Sequence, residues 1–450
     1  MQTASKYIFD SYDLDRDIST ARFAYAVELE NGRRESFVEK LRFPAGREAW
    51  DGLPPDLLQA CLRSLHLVLG LSYWKMHCAP EIAISGYGLG EAQAVFWETL
   101  YTKGLGEFFF RNKIDFRGLV KFPRTGQALG VAPLPRQSRC LVPLGGGKDS
   151  LVTAELLKEK EFKFQTFTLG TSIVQQQVAR VMRQEPLVVE RKLDPRMLEL
   201  SASGEVFNGH IPVSAIYHFA GVLLAALADY GYVVFSNERS AEQGNVEYLG
   251  QTVNHQWSKT EEFETLARGY VGNFITPDIV PFSLLRPLSE IEIVRRFAQY
   301  PKYFQTFSSC NRNFVVATTQ PAAERGAYWC GRCPKCAFVF ALLAAFLDKD
   351  QVVDIFGQDL FADASLLPLF KALLGRGEFK PFECVGTPEE MLVAMNRAAQ
   401  TGRYDGDVVM DYFVGDVVPL ISDFGDMEKR VLGLGDTVSL PQPFRHIYEG

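Results

Sequence analysis

The stretch Arg139-Cys-Leu-Val-Pro-Leu-Gly-Gly-Gly-Lys-Asp-Ser150 predicts a short buried strand, a glycine-rich turn and the first turn of a helix. Three consecutive glycines let the backbone turn tightly and let a ligand approach it closely. The N–H groups of such a turn, together with those that open the following helix, form an anion site suited to phosphate. The stretch therefore predicts the phosphate-binding edge of an α/β sheet.

The residues that follow alternate between strand-like and helix-like runs. The predicted strands are Phe162–Leu169, Pro186–Leu193 and Tyr232–Ser236, and the predicted helices are Ser150–Lys160 and Val213–Tyr230. This alternation is typical of right-handed βαβ units and predicts a doubly wound parallel sheet covered on both faces. Ligands bind such sheets at the carboxyl ends of the strands. The glycine turn and the polar residues after Ser236 are both expected at that edge.

The sequence divides into three predicted domains. Residues 1–135 predict an N-terminal α+β domain, a candidate for substrate binding, with strands at Phe23–Leu29 and Glu81–Gly86 and a helix at Leu57–Leu71. Residues 136–348 carry the glycine turn and form the predicted catalytic domain. Residues 349–450 form an acidic C-terminal domain in which we identify no chemistry-bearing motif.

Composition narrows the class of protein. The 450 residues carry a net charge of −7, but residues 351–450 contain 16 acidic and 8 basic side chains, so the rest is almost neutral and shows no basic footprint of a nucleic-acid binder. Apolar runs reach only about ten residues, whereas a membrane span needs roughly 18 or more. The start of the chain lacks the pattern of a signal peptide, and eight cysteines make no secreted disulfide framework. A cytoplasmic protein is expected, with no nucleic-acid or membrane partner.

The glycine turn assigns roles to six residues. Gly145, Gly146, Gly147 and Ser150 are expected to cradle phosphates, while Lys148 and Asp149 flank them and Asp149 helps to hold Mg²⁺. A Walker loop would need glycine at Val142 and serine or threonine at Asp149, so this turn is of another kind. The structural alternative is a glycine-rich turn with a polar helix cap.

Four cysteines have metal-ligand spacing. Cys310, Cys330, Cys333 and Cys336 follow a C-x19-C-x2-C-x2-C pattern, which suits a tetrahedral structural zinc. An iron–sulfur cluster and unligated thiols are the alternatives. The other four, Cys61, Cys78, Cys140 and Cys384, are isolated and are expected to be small core residues.

The most polar segment, Phe235–Thr260, follows a predicted strand at the ligand edge. Amide and aromatic residues interleave there with charged ones, which favours a site over a plain solvated loop. Its polar residues are Asn237, Glu238, Arg239, Glu242, Asn245, Asn254, His255, Ser258 and Lys259.

The Gly145–Ser150 turn resembles the Ser-Gly-Gly-x-Asp-Ser loop of the PP-loop ATP pyrophosphatases, with Gly145 in place of the leading serine. With this turn, the segment Phe235–Thr260, the cysteine cluster and Gly104–Phe116 together, the chain resembles the epimerases of peptidoglycan precursor synthesis. The alternatives on the same fold are 7-cyano-7-deazaguanine synthases and tRNA-thiolating enzymes.

The resemblance implies ATP- and Mg²⁺-dependent inversion of the terminal L-Glu of a UDP-muramoyl dipeptide to D-Glu, with AMP and pyrophosphate released. It implies that the nucleotide also meets Asn237, Glu238 and Arg239. Inversion needs proton carriers, for which His255, Lys259, Glu242 and Tyr248 are the candidates and His210 a further one. The bases between Arg111 and Arg139 are expected either to contact the anionic substrate or to form a solvated linker. The oligomeric state stays open.

Overall fold

The computed structural model describes residues 3–126, 129–313 and 328–449. The strands are β1 (Ala4–Asp15), β2 (Thr20–Leu29), β3 (Arg34–Arg42), β4 (Glu81–Ile84), β5 (Cys140–Pro143), β6 (Phe164–Leu169), β7 (Leu187–Lys192), β8 (Tyr232–Phe235), β9 (Val246–Tyr248), β10 (Gln251–Val253) and β11 (Val280–Ser283). The helices are α1 (Arg47–Asp51), α2 (Pro55–Trp74), α3 (Glu91–Gly104), α4 (Gly106–Asn112), α5 (Lys148–Glu159), α6 (Ile173–Met182), α7 (Pro195–Ser203), α8 (Val213–Ala228), α9 (Glu261–Phe274), α10 (Glu290–Phe297), α11 (Pro334–Ala344), α12 (Lys349–Phe356), α13 (Leu367–Leu373), α14 (Pro388–Gln400), α15 (Val408–Tyr412), α16 (Phe424–Leu432) and α17 (Gln442–Arg445).

The catalytic half of the sheet is parallel. Its strand order is β7-β6-β5-β8-β11, and every neighbouring pair in it runs parallel. The chain moves outward from β5 in one direction and then in the other, so the order reverses between β5 and β8. Ligands of doubly wound sheets bind at this reversal point. The glycine turn follows β5, which confirms the predicted α/β class and places the turn at that point.

The N-terminal half continues the same sheet. Strands β3, β2 and β1 are antiparallel, β4 is parallel to β1, and β3 joins β7 through the register Lys40↔Lys192, Leu41↔Arg191 and Arg42↔Glu190. The result is one sheet of nine strands that crosses the predicted boundary at residue 135. The strands β1, β3 and β11 were not predicted from the sequence.

Alternate residues of the central strands face two different cores, as the pleat requires. Leu141 and Val233 lie in a core that α2, α3, α8 and α9 complete, whereas Val142 and Val234 lie in one that α5, α10, α11 and α14 complete. The acidic C-terminal segment therefore has an apolar inner face. Its helix α14 packs against α11 and thereby against the catalytic half of the sheet.

Among the described residues, no helix combines the length and the apolar character that crossing a membrane requires.

We predict that a buried ion pair stabilises the junction of the two half-sheets. Arg191 on β7 pairs with Glu39 on β3 at 2.5 Å, and the Glu39 side chain is 0% exposed. Arg191→Ala would leave the Glu39 carboxylate buried and unpaired, so the free energy of unfolding should fall by about 3–5 kcal/mol in a denaturant titration. Arg42→Ala removes an exposed pair with Glu190 in the same ladder and should cost within about 1 kcal/mol. Equal losses in the two variants would contradict this assignment.

Candidate active site

The glycine turn has the geometry of an anion site. Gly147 precedes α5 in an extended conformation, and no side chain in the described part of the chain caps the first N–H groups of the helix. Gly146 has φ +87°, and a Cβ there would lie 2.7 Å from Cγ1 of Val174, so glycine is required at this position. A Cβ at Gly145 would meet no atom of the described residues within 4 Å. The backbone thus supports the predicted phosphate cradle.

Directly behind the turn lies a buried cluster of charges. The Lys148 side chain is fully buried and pairs with Asp149 and with Glu290, the first residue of α10. Glu290 also forms an ion pair with Lys335, whose Nζ lies 3.3 Å from its Oε1. Burial by itself would lower the pKa of Lys148, but the carboxylates of Asp149 and Glu290 raise it above its ordinary value. The structure therefore turns Lys148 toward protein carboxylates, while Asp149 stays partly exposed beside the turn.

The segment after β8 lines the same edge. Asn237 donates from Nδ2 to Oγ of Ser283 at 2.9 Å. Glu238 is buried, and burial together with the charge of Glu290 raises its pKa to about 7. Among the described residues no group bonds to its Oε1. Arg239 turns away and donates to the backbone oxygens of Arg430 and Gly433, so its side chain holds the C-terminal segment.

A second polar cluster forms around His255. Its Nδ1 lies 2.5 Å from Oε2 of Glu107, and Nδ1 of His210 lies 3.7 Å from the same oxygen. Burial would lower the pKa of His255, but hydrogen bonds with Cys384 and Glu107 raise it to about 9. Burial and the neighbouring His255 lower the pKa of His210 to about 3. The two histidines are therefore expected to carry different charges at neutral pH.

Lys259 connects the two clusters. Its Nζ donates to Sγ of Cys384 at 3.4 Å, and the charges of Cys384, Glu238 and Asp149 raise its pKa although burial opposes this. The Cys384 backbone oxygen accepts a hydrogen bond from Lys335, the partner of Glu290. The glycine turn and the His255 cluster thus belong to one connected set of charges.

Two predicted proton carriers have structural partners. Glu242 accepts the N–H of Glu261 at 2.6 Å and pairs with Arg286. The Tyr248 hydroxyl donates to the Ile114 carbonyl at 3.2 Å.

All five arginines of the basic segment bond within the chain. Arg111 pairs with Glu107, Arg117 with Asp115, and Arg124 with Glu91 and Glu98, while Arg136 and Arg139 bond to backbone oxygens at the end of α8 and to Asp229. These pairs explain much of the basic stretch without a substrate.

The four predicted metal-binding cysteines meet at one point. Their sulfur atoms all lie within 4.8 Å of one another, with separations of 3.5 Å (Cys333–Cys336), 3.6 Å (Cys330–Cys336) and 4.0 Å (Cys310–Cys333). A tetrahedral zinc with Zn–S bonds of about 2.3 Å would separate its sulfur ligands by roughly 3.8 Å. The thiols fit a closed structural zinc site, although the residues between Asn313 and Tyr328 lie outside the described part of the chain.

The cysteine cluster supports the glycine turn. The N–H of Ser308, two residues before Cys310, donates to the Gly146 oxygen at 3.1 Å. A Cβ on Gly147 would lie 3.1 Å from Cβ of Ser309. A ligand that fixes Cys310 would therefore also fix the backbone of Ser308 and Ser309, which packs on the turn.

Sequence reasoning missed four residues of this site. Glu107 lies inside Gly104–Phe116, which carried only a family resemblance, and Glu290 and Lys335 had no local signal. Cys384 was expected to be a small core residue, but this is wrong, because it is half-buried and faces Lys259 and His255. Cys384 lies in the segment 349–450, in which the sequence shows no chemistry-bearing motif.

The doubly wound sheet, the turn at its reversal point and the buried charges define an α/β enzyme. Two family models match the chain. Residues 1–284 match the MurL N-terminal domain, and residues 306–424 match the MurL C-terminal domain. Among curated proteins, a UDP-N-acetyl-alpha-D-muramoyl-L-alanyl-L-glutamate epimerase of Xanthomonas oryzae pv. oryzae is 38% identical, over 95% of this chain and 93% of its own. Epimerases of the same name from a Micromonospora species and from Salinispora tropica are each 36% identical, over 97% and 90% of this chain and 96% and 87% of their own.

The chain belongs to the MurL epimerase family and is therefore an isomerase. No solved structure matches it.

We predict that the purified protein contains about one zinc per chain and no iron. Cys310→Ser should lower the zinc content and the melting temperature together, because it opens the site and frees the segment that packs on Gly146. Elemental analysis and thermal unfolding test this, with Cys61→Ser, which lies outside the cluster, as the control for metal content. Iron in the purified protein, or full zinc content in Cys310→Ser, would contradict the assignment.

Proposed function

We propose that the protein inverts the terminal L-Glu of UDP-N-acetylmuramoyl-L-Ala-L-Glu to D-Glu in an ATP- and Mg²⁺-dependent reaction. The carboxylate is adenylated, the α-proton is exchanged, and hydrolysis leaves the D-Glu product with AMP and pyrophosphate. The relatives supply the substrate and the inversion. The resemblance of the glycine turn to PP-loop ATP pyrophosphatases supplies the adenylation.

Adenylation answers a physical difficulty. Removal of an α-proton beside an ionised carboxylate creates a dianion, whereas the acyl phosphate of an adenylate carries no carboxylate charge. A gain in acidity on the order of ten pKa units corresponds to roughly 14 kcal/mol. Typical enzymes lower their barriers by about 8–23 kcal/mol. ATP cleavage therefore suffices to make the α-proton removable without an electron-withdrawing organic cofactor.

The observation that carries this proposal is the connected set of charges between the turn and His255. Lys148 contacts the turn and Glu290, Glu290 contacts Lys335, and Lys335 reaches the backbone of Cys384, which faces His255. This chain of contacts connects the glycine turn with the cluster around His255, which supports the proposal. Activation at the turn followed by proton transfer at the cluster needs this arrangement.

Different residues act at the glycine turn and at the cluster around His255. Gly145, Gly146, Gly147 and Ser150 bind the phosphates, Asp149 holds Mg²⁺, and Asn237 and Glu238 line the nucleotide side. His255 and Lys259 are the favoured proton carriers, because both meet Cys384 and Lys259 also lies within the field of Asp149 at the turn. Glu242 and Tyr248 stay candidates with structural partners.

Asp149→Ala should abolish both pyrophosphate release and D-Glu formation, because Mg²⁺ at the transferred phosphates loses its ligand. Both products are measured with ATP, Mg²⁺ and the UDP-muramoyl dipeptide, and the chirality of glutamate is determined after acid hydrolysis. The control is Asp115→Ala, an exposed carboxylate that pairs with Arg117. Normal pyrophosphate release by Asp149→Ala would contradict the role of the turn.

His255→Ala should leave pyrophosphate release intact and reduce deuterium incorporation at the α-carbon by about 10²–10⁴-fold, the usual contribution of an acid–base group. Incorporation is measured by mass spectrometry of product formed in D₂O. His446→Ala, which removes a ring stacked on Phe162, serves as the control. Wild-type incorporation in His255→Ala would exclude this histidine as a proton carrier, and pyrophosphate without any D-Glu from the unmodified enzyme would contradict the epimerisation.

A further inference from the structure

Cys384 differs from every other described cysteine outside the metal cluster. Cys61, Cys78 and Cys140 are buried, and burial raises the pKa of each thiol to about 12. Cys384 is half-buried. Nζ of Lys259 donates a hydrogen bond to its Sγ at 3.4 Å, and His255 is a second hydrogen-bond partner. It therefore lies in the surroundings of a reactive cysteine.

Three side chains reproduce the arrangement that activates a nucleophile. Glu107 holds Nδ1 of His255 at 2.5 Å, and the same imidazole lowers the pKa of the Cys384 thiol. A thiol bonded to a histidine that a carboxylate orients is the geometry of covalent acyl transfer. The three residues come from α4, from the segment before α9 and from the segment before α14, so their meeting is a product of the tertiary structure.

The segment that carries Cys384 is held from several sides. Asn245 donates from Nδ2 to the Pro381 oxygen at 2.8 Å, and Gln256 donates from Nε2 to the Val385 oxygen at 3.1 Å. Lys335 bonds to the oxygen of Cys384 itself. Amides of the polar segment 235–260 thus position this thiol.

Charges of both signs surround the thiol. The charged groups that interact electrostatically with Cys384 are Lys259, His255, Lys335, Lys380 and Glu383. Burial would raise the pKa of Cys384, but Lys259 and His255 outweigh it and lower the pKa to about 5. Between that pH and about 9, where His255 loses its proton, a thiolate beside a protonated imidazole is the expected resting state.

We propose that Cys384 is a nucleophile that takes the activated glutamyl group from the adenylate as a thioester, on which the α-proton is exchanged. This rests on the adenylation proposed above. The thiolate sulfur forms a bond to the acyl carbon, the bond between that carbon and the phosphate oxygen breaks, and AMP leaves with the electron pair. No oxidant or reductant takes part.

Acylation also prepares the base. The thiolate charge is one of the causes that raise the pKa of His255, so its conversion to a neutral thioester lets the imidazolium lose its proton to solvent. The neutral ring can then remove the α-proton, and the ammonium group of Lys259 returns a proton to the opposite face and regains one from solvent. His255 releases the proton that it took to solvent. Water then attacks the thioester, His255 takes the proton of that water, and the bond between the acyl carbon and the sulfur breaks, which restores the thiolate and the imidazolium and releases the carboxylic acid.

A role for Cys384 as the second proton carrier fits the geometry less well. The two carriers of an inversion lie on opposite faces of the α-carbon, whereas the Cys384 thiol and His255 are hydrogen-bonded to each other. A thioester also resists water better than an acyl phosphate while keeping the α-proton acidic. The covalent step therefore explains how inversion precedes hydrolysis.

Acid quenching of a single turnover tests the thioester. The enzyme is mixed with ATP, Mg²⁺ and the UDP-muramoyl dipeptide, and intact-protein and peptide mass spectrometry follow. We expect an adduct of the substrate mass minus water on the Cys384 peptide, which neutral hydroxylamine removes. Cys384→Ala should keep pyrophosphate release, form no adduct and lose D-Glu formation at least about 10²-fold. Cys384→Ser, closer in size and polarity, provides the same test if the alanine variant does not fold.

Three outcomes would overturn the assignment: epimerisation by Cys384→Ala within about threefold of wild type, AMP release by wild type without an adduct at any quench time, and loss of pyrophosphate release in a folded Cys384→Ala. Failure of the unmodified enzyme to release pyrophosphate would instead contradict adenylation, so the two proposals fail separately.

The pH dependence of alkylation gives an independent test. Modification of Cys384 by iodoacetamide, followed by peptide mass spectrometry, should rise with a midpoint near pH 5, whereas an ordinary thiol titrates near about 8.5. His255→Gln should move that midpoint upward, and the buried Cys61 should stay unmodified in the folded protein. Reactivity of Cys384 that rises only above about pH 8 would contradict an activated thiolate.

Discussion

The buried contact between Lys148 and Glu290 is the constraint on which the site depends. A charge out of water is tolerated only when it is paired, and the loss of one partner costs far more than the pair contributes. Glu290 pairs with Lys148 at the glycine turn and with Lys335 on α11. The turn, α10 and α11 are therefore held in one arrangement, since displacement of any of them would leave a buried charge unpaired.

The cysteine cluster adds a second restraint to the same elements. Lys335 lies between Cys333 and Cys336, so the segment that carries two cysteines of the cluster also carries the cation that meets Glu290. Ser308, two residues before Cys310, donates its N–H to the backbone oxygen of Gly146 in the turn. The cysteine cluster and the glycine turn are thus connected through direct contacts.

The chain uses all three of its parts to build the reactive cluster. Glu107 comes from the N-terminal part, His255 from the catalytic part, and Cys384 from the acidic C-terminal part. This sharing explains why the sheet continues through β3 and β7 and why α14 packs on α11. A site with contributors so far apart in sequence needs their relative positions to be rigid.

The sequence by itself predicted the doubly wound sheet, the glycine turn and a cluster of four cysteines, and it singled out His255 and Lys259 as candidates, because each has a local signature. Periodicity predicts strands and helices, and spacing predicts metal ligands, since both depend on neighbours in the chain. Only the tertiary structure decided that Glu107, Glu290, Lys335 and Cys384 belong to the site. Their roles depend on the loss of water and on partners more than forty residues away, and burial among distant charges leaves no pattern in the residues beside them.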